Sequence, residues 1–220
     1  MSFEPVDVEA KPAALEELKR LGVMQVPAVT IGDRVFHGWN PKELAAFVGV
    51  EYREWEHLAP ADLMERLERV LAATQRAIRQ VPNELLEMVS PGRNRTVRNL
   101  GYHIFRLSLV FCDTLEGRPL AKDWATEEAP TEIRDGEAVA SYGENVLGRL
   151  KKCSRAYGWE DRLMTSYGSL TAHEFLERTA WHAAQHLRQL YSLLERMGKT
   201  PIDPLHDADF KGLPLPKEVW

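Results

Sequence analysis

Cysteine is nearly absent from this chain: its 220 residues carry two, Cys112 and Cys153. Two thiols cannot build the cross-linked framework of a small secreted domain. Basic runs are missing too, and a net charge of −5 argues against nucleic acid as the main partner. No apolar stretch approaches the roughly 20 residues that span a bilayer, so a membrane is not expected as a partner. The N-terminus lacks a basic-then-apolar leader pattern, and a cytoplasmic protein is expected. What is present, 44% apolar and 28% charged residues, is the composition of a globular chain with a proper core.

The stretch from Thr171 to Gly198 contains no proline and, before Gly198, no glycine. Its apolar residues Phe175, Trp181, Leu187, Leu190 and Leu194 recur at helical spacing. Thr171 followed by Glu174 reads as a capping box, and Gly198 followed by Pro201 as a stop. One helix of about seven turns is expected. His182 and His186 stand four apart on it, hence on one face, with Cβ atoms about 5–6 Å from each other. That spacing lets two imidazoles converge on one metal ion. Arg178 and Gln189 lie on nearly the same face. One helix cannot complete a site, so the rest of the chain must bring a third ligand.

Three more long helices precede it. The first opens at Ala59-Pro60, with Leu63, Leu67, Val70, Leu71, Thr74 and Ile78 inward, and Pro82 ends it. The second runs over 94–116 with Val97, Leu100, Ile104, Leu107 and Phe111 on its core face. The third runs from about Glu137 to Tyr157, with Val139, Tyr142, Val146, Leu150 and Cys153 roughly in line. Residues 118–133 are expected as a loop over one end of the bundle, and 159–170 as a short strand or extended turn. The fold class is therefore mainly α, a four-helix bundle over 59–198 with a proline-rich tail, 199–220, on its surface. Phe210, Leu213, Leu215 and Trp220 are the expected anchors of that tail.

The first fifty residues differ in kind. A strand-like run over 3–10, with Val6 and Val8 alternating, precedes a compact helix that starts at Pro12 and ends at Gly22. A β-hairpin turning at Gly32-Asp33 follows, then a helix capped by Asn40. The order is β-α-β-β-α, with 51–58 as the linker to the bundle. The segment GVMQVPAVTIGDRVFHGWNPKEL resembles the C-terminal two-thirds of a glutaredoxin, a thioredoxin-fold module. In that resemblance Val26-Pro27 takes the place of the family's cis-proline, beside which a thiol or peptide binds. The family's Cys-x-x-Cys or Cys-x-x-Ser segment has no counterpart, since no cysteine precedes Cys112. Without a thiolate at a helix N-terminus the module cannot perform dithiol exchange. Two expectations follow: a degenerate docking or dimerisation piece, or an internal start at Met1 with a Cys-x-x-Cys segment upstream. A small accessory lobe with no role in binding is the plain alternative. Unmatched strand edges favour pairing, so a homodimer is one expectation, with the oligomeric state left open.

Of seven histidines, His37, His57 and His206 read as solvated surface residues, and His173 as exposed. His103 is in the middle of the second bundle helix; if that helix neighbours the fourth, His103, His182 and His186 face one point. The alternative is a satisfied core histidine beside a solvated pair. The stretches NLGYHIFR and HEFLERTAWHAAQHLRQL resemble the DinB-like (YfiT-like) superfamily of metal-binding bundles. The resemblance spans 59–198 and implies His103, His182 and His186 as metal ligands. Three neutral imidazoles suit zinc or nickel and leave positions open for water or substrate. Arg106 and Arg178 are candidates for binding a substrate carboxylate and Gln189 for holding a water; on the residues alone each is first an ordinary bundle-edge polar group. Cys112 and Cys153 read as small core residues.

The resemblance implies an activity class. Characterised members of the family are mostly thiol-dependent, bacillithiol S-transferases and the mycothiol-dependent maleylpyruvate isomerase among them. A metal-dependent S-transferase or isomerase of a bacterial cytoplasm is the expectation, with bacillithiol, mycothiol or glutathione as the thiol and a small electrophile as its target. The alternative is a non-catalytic metal- or thiol-binding stress-response protein that docks through the α/β module. A metal-dependent hydrolase is a third reading, and it needs a carboxylate base that the sequence does not place.

Overall fold

The computed structural model describes residues 3–6, 8, 11–23, 28–38, 40–52, 56–90, 95–119, 124–153, 158–165 and 168–216. The chain divides into two compact units, Met1–Trp55 with Ser166–Gly168, and Glu56–Thr165 with Ser169–Trp220.

In the smaller unit, helix α1 (Pro12–Arg20) begins with proline in its first turn, where a missing N–H costs nothing. Strands β1 (Ala28–Ile31) and β2 (Arg34–His37) pair antiparallel, Ala28 opposite His37 and Ile31 opposite Arg34. Gly32 takes the positive-φ position of the two-residue turn at φ 58°. Helix α2 (Pro41–Val48) is capped by Asn40, whose side chain accepts from the Glu43 N–H at 3.1 Å. The run expected as a strand at the start differs: its described residues, Phe3–Val6 and Val8, carry no strand. Phe3 is 85% exposed and Val6 45%, so alternation there has no covered face to serve.

The larger unit is built on α3 (Pro60–Arg79), α4 (Val97–Leu115), α5 (Gly136–Cys153) and α6 (Ala172–Arg196). Helix α3 packs on α5 and α6, and α4 packs on the same two, which makes a four-helix ring. Phe105, Phe111, Leu67, Leu71, Ile78, Leu150, Leu176 and Leu187 fill it and are almost fully buried. Helix α6 starts with a true capping box between Thr171 and Glu174. The side chain of Thr96 caps α4 through the Asn99 N–H, and Thr96 bridges Val89 across the preceding loop. Before α6 the chain forms the short sheet β3 (Arg162–Thr165) with β4 (Gly168–Thr171), where sequence left strand or turn open.

In the connection before α5, the described residues Ala129 and Ile133 are tied to α4. Asn99 Oδ1 accepts from the Ala129 N–H at 2.9 Å, and Arg98 donates to the carbonyls of Ala129 and Ile133. The tail is held by Arg76 to the Asp203 carbonyl, Tyr191 to the Leu205 N–H, and an Arg69–Asp209 ion pair. Phe210 and Leu213 are buried and Leu215 half-buried, while Trp220 lies outside the described residues. Among the described residues, no helix is long and apolar enough to cross a membrane.

Candidate metal centre

Packing α4 beside α6 brings His103 against the pair on α6. His103 is 4% exposed, and His182 and His186 are half-buried. The ring of His103 stands edge-on to both partners, with centroids 5.6 Å from His182 and 5.1 Å from His186. One ligand nitrogen from each of the three lies within 4.8 Å of the others. His182 Nε2 and His186 Nε2 are 3.1 Å apart. Among the described residues this is the one group of His, Cys, Asp or Glu with metal-holding geometry.

Imidazole nitrogens around a tetrahedral ion at about 2.0–2.1 Å lie about 3.3–3.4 Å from one another. The His182–His186 separation is close to that value. The donor set is neutral, so it leaves a bound dication its full charge. These residues fit a divalent transition metal.

Gln189, expected to hold a water, is hydrogen-bonded within the protein. Its Oε1 is 3.0 Å from Nδ1 of His186, and its Nε2 donates to Ser90 Oγ at 3.0 Å. Sequence reading missed Ser90, for its only signal is position, 99 residues from Gln189.

Arg106 is engaged by the protein's own carboxylates. Its Nε donates to Glu127 at 2.6 Å, and Nη1 lies 3.5 Å from Asp113. Burial works against its charge, but the Glu127 hydrogen bond and charge prevail, and its pKa sits above the ordinary value. Beside it Tyr102 stacks on Tyr142 at 4.8 Å, and burial pushes both phenols up. Arg178, one turn before His182 on α6, is 8% exposed with its guanidinium 5.8 Å from the Trp181 ring centroid. Val26 and Pro27 lie outside the described residues.

Two histidines expected at the surface have protein partners; His57 is exposed as expected, and His173 is half-buried. His57 Nδ1 lies 2.9 Å from Oε1 of Glu177, a carboxylate 7% exposed on α6. His173, half-buried, places Nε2 2.8 Å from the Leu58 carbonyl. Both interactions tie the chain entering α3 to the start of α6; His173 is half-buried there, while His57 stays exposed. Cys112 and Cys153 are both buried. A hydrogen bond to Cys153, then burial, pushes the Cys112 thiol up, which suits a core residue and not a ligand.

The fold is similar to a solved structure described as "YfiT from Bacillus subtilis is a probable metal-dependent hydrolase with an unusual four-helix bundle topology". The likeness has a TM-score of 0.51 at 19% identity and covers 69% of this chain and 96% of that one. At that identity it speaks for the fold. No curated protein matches the chain. The family model of the DinB superfamily matches residues 66–190, more than half of the chain and all of α4 and α5. With the bundle and the family match in agreement, the chain belongs to the DinB superfamily.

Proposed function

We propose that this chain is a metal-dependent enzyme in which His103, His182 and His186 hold a divalent transition ion, zinc or nickel, and a low-molecular-weight thiol is the nucleophile. The observation that carries the reading is the meeting of three ligand nitrogens within 4.8 Å, one from α4 and two from α6. When bound, such an ion supplies Lewis acidity that lowers the pKa of a thiol it holds. The protein's part is to orient three neutral rings, keep His103 away from water, and leave the half-buried side of His182 and His186 accessible. The likeness of residues 3–48 to a glutaredoxin supports a thiol as the co-substrate, and S-transfer or isomerisation as the outcome.

A second reading has water as the nucleophile, a metal-dependent hydrolase. It is favoured by the description of the structural neighbour as a probable hydrolase. One experiment separates the two. The metal-loaded protein is incubated with bacillithiol, mycothiol or glutathione plus monochlorobimane, and in parallel with simple ester and amide substrates lacking thiol. Metal-dependent conjugation with one thiol, lost in His182→Ala, supports the transferase; hydrolysis without thiol supports the second reading. Saturable thiol or metal binding with no turnover in either arm points to the non-catalytic binding protein.

A further inference from the structure

We propose that Gln189 and Ser90 are positioning residues of the candidate centre. Gln189 accepts the Nδ1–H of His186, and Ser90 holds the amide that does so, leaving the His186 Nε2 lone pair for the ion. The inference rests on the reading of the three histidines as ligands.

Gln189 follows His186 by three residues on α6, so it stands about one turn further along the same face. It is 6% exposed, and its amide lies between two buried or half-buried groups. An amide has an accepting end and a donating end, and they are not interchangeable here. With Oε1 at 3.0 Å from Nδ1, the imidazole proton belongs on Nδ1 and Nε2 is free to ligate. Turned over, the amide would donate to Nδ1, the proton would move to Nε2, and the ring would oppose an ion. His182 Nε2, 3.1 Å from His186 Nε2, marks the side on which that lone pair is needed.

Ser90 completes the arrangement. In the ligation-competent orientation the Gln189 N–H₂ points into the protein, where an unpaired donor is costly. Ser90 Oγ takes it at 3.0 Å, and Ser90 is itself 3% exposed. The serine is fixed by its neighbours: its N–H donates to the Arg95 carbonyl at 2.8 Å, next to the Val89–Thr96 bridge. Thr96 is the cap of α4, the helix that carries His103. The relay therefore runs from the start of the His103 helix to the outer nitrogen of His186.

The test uses the full chain with Gln189→Leu, Gln189→Glu and Ser90→Ala. Zinc affinity is measured by chelator competition, and the His186 tautomer by nitrogen NMR of metal-free protein at alkaline pH. Gln189→Leu is expected to weaken zinc by about 10–100-fold. Gln189→Glu, whose carboxylate accepts the same Nδ1–H, should keep the affinity of the parent, and Ser90→Ala should fall between. The His186 ring should carry its proton on Nδ1 in the parent and shift toward Nε2 in Gln189→Leu. Parental affinity and tautomer in Gln189→Leu would overturn the proposal, as would equal damage from Gln189→Glu. If the parent takes up no zinc, the metal reading fails and the tautomer comparison alone decides the relay. Should Gln189→Leu lose its helical signal, the affinities and tautomers of Gln189→Glu and Ser90→Ala decide it.

Discussion

His182 Nε2 faces His186 Nε2 across 3.1 Å, one helical turn apart, with the edge of His103 against both. Two accepting nitrogens so placed repel unless a proton or a cation stands between them. Their meeting point is where an ion would be held by α4 and α6 together.

Metal binding should therefore appear as stability. An ion that binds only the folded site adds about 2.7 kcal/mol when present at about 100 times its Kd. Thermal unfolding with added zinc or nickel is expected to shift upward, and His103→Ala, His182→Ala and His186→Ala should each remove the shift. A parent protein that melts at the same temperature with and without metal would sink the site.

Two glycines of α5 should behave oppositely. A Cβ on Gly143 would lie 2.4 Å from the Phe105 ring, which is fully buried and cannot give way. Gly143→Ala is expected to cost about 1–3 kcal/mol by overpacking. A Cβ on Gly148 meets nothing within 4 Å, so Gly148→Ala should stabilise the helix by up to about 1 kcal/mol. Denaturant midpoints of the two variants give the comparison.

The capping box at the start of α6 should be measurable from one side chain. Thr171 Oγ1 accepts from the Glu174 N–H at 3.1 Å, and Glu174 returns the bond to the Thr171 N–H at 2.7 Å. Thr171→Ala is expected to lose about 0.5–2 kcal/mol, with Thr171→Ser recovering most of it. Equal stability of alanine and serine variants would show that the cap contributes nothing.

Acid should destabilise the fold through identifiable carboxylates. Glu116 is held below the ordinary range by its hydrogen bond from Arg149, Glu137 by that from Arg79, and Asp209 by the His206 N–H. With a depressed folded-state pKa, the unfolded chain takes up the proton first as pH falls. The stability is thus complete above the ordinary carboxylate range and is lost as pH drops through the depressed values. Unfolding midpoints measured down through this range should fall less steeply in Glu116→Gln and Asp209→Asn than in the parent. An unchanged slope in the double variant would show that these pairs do not govern the acid response.

Much of the fold was legible because its signals are local. The apolar period of 63–78 and 175–194, the caps at Thr171 and Asn40, and the prolines at 60 and 82 each act within a turn or two. The H-x-x-x-H pair is of the same kind, since four residues along a helix fix one face. In the run expected as a strand at 3–10, the described residues carry none for the converse reason: alternation without a covering neighbour has no core to stabilise it.

By itself the sequence determined which segments become helices and which face of each turns inward, because helical periodicity and capping are properties of adjacent residues. Only the tertiary structure decided the partner of each polar side chain. It set Arg106 on Glu127, His57 on Glu177 across 120 residues, and Gln189 between His186 and Ser90. Such pairings depend on which helices become neighbours and at what height they pack. No spacing along the chain encodes that, and the hydrogen bonds follow once hydrophobic burial has settled it.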